Sequence, residues 1–393
     1  QIIRQKDSTI MKTTPLGHLT TVTLCALLAA CGVSNDSPAP IEVADALSSE
    51  NATASETSSS ASASGSTPSF SLAWSEYPSW SIFAVAEADG LINGKPGEMG
   101  SLEEKWKVDV VLHESDYDTC ITMYGSQNVD AACLTNMDAL NPSLSRASSM
   151  ILPTSTSHGA DACIVVDTIQ TIEDLKGKNI YGLEKSVSEY CFVRNLEINA
   201  QKEKDYSFSN MDPAAAAAAL QQKQAGIEAI MVWNPFVMET LAKRSDVKVL
   251  FDSTAIPQEI VDGVIMSQES LKKEGGAAFA CAIIEAFYTT TAKLNAPDTR
   301  EATLTALGEK FSGLDSEAMN QIVHQTKFLS SPGQAIALFG SAELKATMDK
   351  VVTFCVDHEI TGRAPTLSFA QPAADTELAF DAQYIKKFRS PNP

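Results

Sequence analysis

The stretch "TIEDLKGKNIYGLEKSVSEYCFVRNLEINA", residues 171–200, decides the fold. Its first half makes a helical turn and then a short apolar run around "NIYGL", a strand pattern; its second half, from "SVSEY" onward, reads as a helix. Strand followed by helix is one half of a βα unit. The chain on either side repeats it.

Downstream, "YSFSN" is a strand, "DPAAAAAALQQKQ" a helix, "IEAIMVW" a strand that enters the helix "NPFVMETLAKR", and "VKVLFD" closes the set. Upstream, "FSLAWS", "VDVVLHE", "DAACL", "SMILPTST" and "DACIVV" read as strands, with helices at "SWSIFAVAEADGL", Tyr117 to Gly125 and from "NMDALNPSL". This βαβα order implies mainly parallel sheets. After Asp262 the pattern turns helical, with amphipathic segments at Gly276–Leu294, Arg300–Phe311, Ser316–Thr326 and Ser341–His358. The expected class is therefore α/β with two lobes, each a mainly parallel sheet flanked by helices, and a helical tail that packs back on the first lobe. In such sheets ligands bind at the carboxyl ends of strands, where helix N-termini converge, which here is the crevice between the lobes.

The N-terminal part has a different character. "MKTTPLGHLTTVTLCALLAAC", Met11 to Cys31, has a basic start, a short apolar run and small residues before a cysteine, the grammar of an export signal, so the start is expected at Met11. The run Val22–Ala30 is shorter than the about 20 residues a membrane span needs. "LAAC" resembles the bacterial lipoprotein box, which makes Cys31 the lipidated first residue of the mature protein. Residues 32–69 are almost all Ser, Ala, Thr, Pro and acids, a composition that cannot bury a core and reads as a flexible tether. Residues 1–31 are thus leader and upstream residues, 70–160 with 256–393 the first lobe, and 161–255 the second.

A net charge of −20 argues against nucleic acid, whose phosphates need clustered Lys and Arg. Of the eight cysteines, the six after the tether, Cys120, Cys133, Cys163, Cys191, Cys281 and Cys355, show no CxxC or zinc-finger spacing and mostly sit in apolar runs, so buried free thiols are expected.

Four strand ends carry residues a core does not require. "AWSEYPSW" brings Trp74, Glu76, Tyr77 and Trp80 together; Trp80 begins an apolar helix face and is equally well core. "LTNMDAL" offers Asn136 and Asp138, with capping a sufficient role for one of its polar residues. "LEKSVSEY" contains a capping box, Ser186 with Glu189, and leaves Ser188 facing the crevice. "VWNPF" places Trp233 at a strand end and Asn234 as N-cap before proline. Catalytic patterns fare worse. The four histidines after the tether, His113, His158, His324 and His358, lack H-x-x-x-H or H-E-x-x-H spacing, Ser270 and Lys273 form S-x-x-K without its companion motifs, and no Walker A, G-x-S-x-G or dinucleotide fingerprint occurs. A binding protein without metal or other cofactor is expected, not an enzyme.

Several strings together resemble the periplasmic substrate-binding proteins of nitrate/sulfonate/taurine-type ABC importers: "DLKGKNIYGLE", the alanine-rich helix after "DP", the strand into "WNP", and the lipobox with its tether. More narrowly, "TNMDAL", "SVSEYCFVRNLE", "WNPF", "FDSTAIPQEIVD" and "TMDKVVTFCVDHEITG" resemble the urea-carboxylase-associated branch. The resemblance covers roughly residues 70–387. It implies a hinge-closing, monomeric receptor of the type II-like periplasmic fold, lipid-anchored outside the inner membrane, that hands a urea- or guanidine-like solute to a permease and its ATPase. Nitrate, sulfonates and taurine are the alternative ligands, and an enzyme like the thiamine-pyrimidine synthase of the same fold is the alternative function. Trp74, Glu76, Trp80, Asp138 and Trp233 are the residue types that hold a guanidinium, through charge-assisted bonds and cation–π contact. Asn136, Ser186 and Ser188 suit a urea carbonyl.

Overall fold

Strands and helices alternate from β1 (Ser69–Trp74) through α1 (Ile82–Ala88), α2 (Ser101–Trp106), β2 (Asp109–Glu114), α3 (Tyr117–Gly125), β3 (Ala131–Thr135), α4 (Leu140–Ser143) and β4 (Ser148–Thr156). The source is a computed structural model that describes residues 66–311 and 314–388. The expected leader, Cys31 and nearly all of the tether lie outside the described residues.

A second set follows: β5 (Asp161–Val166), β6 (Asn179–Gly182), α5 (Val187–Ile198), β7 (Ser207–Asn210), α6 (Pro213–Gln221), β8 (Ala229–Trp233), α7 (Phe236–Lys243) and β9 (Val247–Asp252). Strand β10 (Val261–Ser267) then returns to the first sheet. The remainder is α8 (Gln268–Lys272), α9 (Gly276–Asn295), α10 (Arg300–Gly308), α11 (Ser316–Gln325), α12 (Pro332–Phe339), α13 (Ala342–Asp357) and two short strands, β11 (Leu367–Ser368) and β12 (Leu378–Phe380).

The first sheet has the order β11-β12-β4-β10-β3-β1-β2 and the second β7-β6-β8-β5-β9. In each, one strand runs against the rest: β10 in the first, β5 in the second. These are the two strands that receive the chain as it crosses between sheets. Their reversal puts the start of β5 beside the end of β8, Asp161 opposite Trp233, and the start of β10 beside the end of β3, Asp262 opposite Thr135. Carboxyl ends of the parallel strands in both sheets therefore face the same crossings. Both sheets belong to one compact unit of the chain.

The crossings, residues 157–160 and 253–260, are tied together. Ser157 Oγ and Ser253 Oγ lie 2.6 Å apart, and the Gly159 N–H donates to Ser253 Oγ at 2.7 Å. Helix α9, the long amphipathic segment of the tail, packs on α1 and α2 beside the first sheet.

Some elements differ from expectation. The chain does not turn helical after Asp262: "VDGVIMS" is β10, a wholly buried strand between β3 and β4. A short apolar run buried on both faces has neither the alternation of a half-exposed strand nor enough length to exclude a helix. The helix expected from "NMDALNPSL" is confined to Leu140–Ser143, after turns that start at Asn136. Helices α2 and α12 were not foreseen. The six cysteines are buried and free.

Candidate functional site

Tyr77 and Trp80 follow the end of β1, Tyr117 opens α3 after β2, and Trp233 ends β8. Their rings form a continuous line between the sheets. Tyr77 and Trp80 have centroids 4.9 Å apart; Trp80 stacks on Tyr117 at 5.4 Å; Tyr117 meets Trp233 edge-on at 5.4 Å; Trp233 leads to Phe236 at 6.5 Å. The first three come from the first sheet's side, the last two from the second's.

Acids sit along this line. Tyr117 donates its hydroxyl proton to Asp138 Oδ2 at 2.7 Å, and Thr135 Oγ1 donates to the same oxygen at 2.8 Å. Asp138 also faces the Val187 N–H in the first turn of α5, across the crevice, where the helix dipole favours negative charge. Burial nevertheless outweighs these donors and pushes its carboxyl up to about 6. Asp138 thus occupies the position at the α5 N-terminus that an anionic ligand would need.

A cavity of about 110 Å³ opens next to Tyr117 and Trp233. It is small against the about 300–1,000 Å³ usual for drug-sized ligands. Its acidic lining is Glu76, Asp116, Asp118 and Asp212; among the described residues none that lines it is basic. Burial, with repulsion from Glu239, Glu114 and Asp212, pushes Glu76 up to about 7. A more open groove of about 380 Å³ shares Asp118 and Leu183 with it, and includes Asp138, Ser186 and Lys185.

The structure sorts the ten expected residues. Glu76 and Trp233 line the small cavity; Tyr77 and Trp80 are on the aromatic line behind it. Asp138 and Ser186 line the groove. Ser186 caps α5, accepting from the Ser188 N–H at 3.2 Å, but Glu189 closes on the Lys185 N–H, not on Ser186 as a capping box requires.

Trp74, Asn136 and Asn234 are set apart from the cavity by other engagements. Lys310 Nζ lies 5.7 Å over the Trp74 ring, so that face already holds a cation. Asn136 donates to Glu259 O at 3.1 Å and accepts from the Val261 N–H at 3.0 Å, which spends its amide on the second crossing. Asn234 is not the N-cap of α7: Pro235 occupies that place without a side-chain bond, and Asn234 Nδ2 donates to Gln325 Oε1 at 2.8 Å. Trp80 Nε1, Tyr77 Oη, Ser188 Oγ and Asn234 Oδ1 are buried without a hydrogen-bond partner of good geometry among the described residues.

Sequence reasoning missed Tyr117 and the acids Asp116, Asp118 and Asp212. Asp116 and Asp212 are N-caps of α3 and α6, so capping alone accounted for them. Their signal was position: both helices follow strands that end at the same crevice. The S-x-x-K pair is structural, since Ser270 Oγ donates to Asp130 Oδ1 at 2.7 Å. Burial pushes the Cys120 and Cys355 thiols up to about 12, which removes them as nucleophiles near neutral pH.

No family model matches the chain. No curated protein matches it. Solved structures do. The periplasmic aliphatic sulphonate binding protein SsuA of Escherichia coli superposes with a TM-score of 0.60 at 17% identity, over 76% of this chain and 94% of that one. The alkanesulfonate-binding protein SsuA of Xanthomonas axonopodis pv. citri, bound to MOPS, gives 0.59 at 16%, over 74% and 93%. The ligand-binding component of an ABC-type import system of Staphylococcus aureus, with zinc bound, gives 0.57 at 12%, over 81% and 98%. The first two are described as sulfonate-binding proteins and the third as the ligand-binding component of an importer. At such identities the likeness concerns architecture, and the chain has the two-lobed α/β fold of the periplasmic binding proteins.

Proposed function

We propose that the protein is the extracytoplasmic solute receptor of an ABC importer, and that it captures a small urea- or guanidine-like nitrogen compound between its lobes for delivery to a permease and its ATPase. The lobes are 70–160 with 256–393, and 161–255; they rotate about the paired crossings at 157–160 and 253–260. A lipid on Cys31 and the tether behind it hold the receptor, as a monomer, near the membrane. No described helix is long and apolar enough to cross one.

One observation carries the choice of ligand. The inter-lobe cavity combines Glu76, Asp116, Asp118 and Asp212 with Tyr117 and Trp233, and among the described residues no Lys, Arg or His lines it. Carboxylates accept the N–H groups of a planar nitrogen compound, and aromatic faces attract its charge, worth about 0.5–2 kcal/mol each. A sulfonate or nitrate in the same place meets four carboxyl groups, and Asp138 already sits at the α5 N-terminus. The fold neighbours that bind sulfonates supply the architecture for a receptor, and this lining supplies the case against an anion.

Calorimetric titration with guanidinium, urea, nitrate and taurine tests the reading. Saturable heat with guanidinium or urea is expected. Saturation by nitrate or taurine, with silence to guanidinium and urea, contradicts it.

A further inference from the structure

Two buried acids stand outside the site as described. Asp161 is the first residue of β5 and Asp262 the second of β10, each where a crossing enters a sheet. They are 3% and 2% exposed. Asp161 pairs across the sheet with Trp233, which lines the cavity, and Asp262 pairs with Thr135, which donates to Asp138 of the groove.

Among the described residues, the groups that act most on them include no Lys, Arg or His. Around Asp262 are Ser155, which donates to its Oδ2 at 2.5 Å from β4, Tyr77 from the β1–α1 turn, Cys133 from β3, and the acids Asp161 and Asp138. Around Asp161 are Ser157, Cys191 of α5, Asp138, and Asp252 at the end of β9. His158, three positions before Asp161 in the chain, has Lys327, His324 and Asp252 as its charged or titratable neighbours. Burial and mutual repulsion push Asp161 up to about 7 and Asp262 up to about 8. The Tyr77 hydroxyl, 3% exposed, faces both acids and holds no hydrogen-bond partner of good geometry. Two buried carboxyl groups from opposite sheets, a buried phenol without a well-formed hydrogen bond directed at them, and Trp233 paired across the sheet from one of them make a receptacle for positive charge. The described residues offer no geometry for a metal ion there.

We propose that Asp161 and Asp262 are the charge-selecting floor of the solute site: they take the positive group of an amidinium- or guanidinium-type solute and give up a proton to solvent as it binds. This rests on the receptor reading above and narrows it from nitrogen compounds in general to cations. The sign follows from linkage. A carboxyl whose pKa is raised in the empty protein holds its proton below that value, so a cation that needs the ionised form binds more weakly as pH falls. The loss is about tenfold per pH unit for each proton released. Neutral urea accepts or donates hydrogen bonds with either form and lacks this dependence.

The test is calorimetric titration of the full chain with guanidinium chloride and with urea, at about pH 6 and about pH 8, in two buffers of different ionisation enthalpy. Expected are a guanidinium affinity at least about tenfold weaker at the lower pH, about one proton delivered to the buffer, and a nearly flat urea response. Asp262→Asn should abolish most of the proton release and of the pH dependence. Guanidinium binding that is independent of pH and releases no proton overturns the inference and leaves the receptor reading intact. So does binding of urea without guanidinium. Silence to both compounds overturns the receptor reading as well. If Asp262→Asn fails to fold, Glu76→Gln decides, since Glu76 is the other raised carboxyl of the cavity: that variant should keep most of the proton release and of the pH dependence, and loss of both there overturns the inference.

Discussion

Glu76 is where a single side chain can be asked about charge. It lines the cavity with its carboxyl pushed up to about 7, so it is partly ionised at neutral pH and becomes fully so beside a cation. Glu76→Gln keeps the shape and a hydrogen-bonding oxygen but removes the charge. A charge-assisted bond is worth about 1.5–3 kcal/mol, so guanidinium binding should weaken by roughly 10- to 100-fold, and urea binding by a few-fold at most. Parallel titrations of the two compounds check this, and equal losses for both would remove Glu76 from charge recognition. At this scale the sequence marked Glu76, Tyr77, Trp80, Asp138 and Trp233 because polar and aromatic residues at strand ends have no core duty. It could not separate them from Trp74 or Asn136. Whether a tryptophan face is open, or covered by a lysine just beyond the end of α10, depends on a contact between Trp74 and Lys310 that no local pattern encodes. Asp161 and Asp262 were hidden for a related reason: each lies in an apolar strand, where an isolated Asp reads as a strand boundary.

The second crossing and α13 show how elements are joined. Glu259, 6% exposed, accepts from Tyr190 Oη at 2.7 Å, Arg194 Nε at 2.8 Å and Lys350 Nζ at 2.6 Å. One carboxylate therefore ties the crossing to α5 of the second lobe and to α13 of the tail. These donors overcome burial and hold it down at about 2, against an ordinary 4.5. A depressed carboxyl contributes stability that is present above its unfolded value and is lost as pH falls from there towards about 2. Glu259→Gln should cost about 2 kcal/mol near neutral pH and flatten the acid limb of the stability profile, as read by urea denaturation midpoints at about pH 7 and about pH 3. An unchanged midpoint at neutral pH would show that the cluster is not a joint. Element order was largely legible: the strands of both βα sets and the helices α9, α10, α11 and α13 follow from period and punctuation. β10 was not, because its place in the centre of the first sheet is fixed by pairing with β3 and β4, and a seven-residue buried run carries no period of its own.

At the scale of the molecule, two reversed strands account for the position of the site. Because β5 and β10 each enter their sheet against its direction, the ends of β1, β3, β6 and β8 converge on one crevice, and the residues after them, not a dedicated loop, make its walls. The sequence implied two mainly parallel sheets; that each contains one antiparallel strand follows from where the chain crosses, which only the tertiary arrangement shows. The central claim is that this crevice holds a small nitrogen compound. Crystals grown with guanidinium test it most directly. The account predicts difference density for a planar group between the lobes, in contact with Glu76 and the rings of Tyr117 and Trp233. Density only outside the crevice, or an anion bound there at the α5 N-terminus with Asp138 displaced, would contradict it.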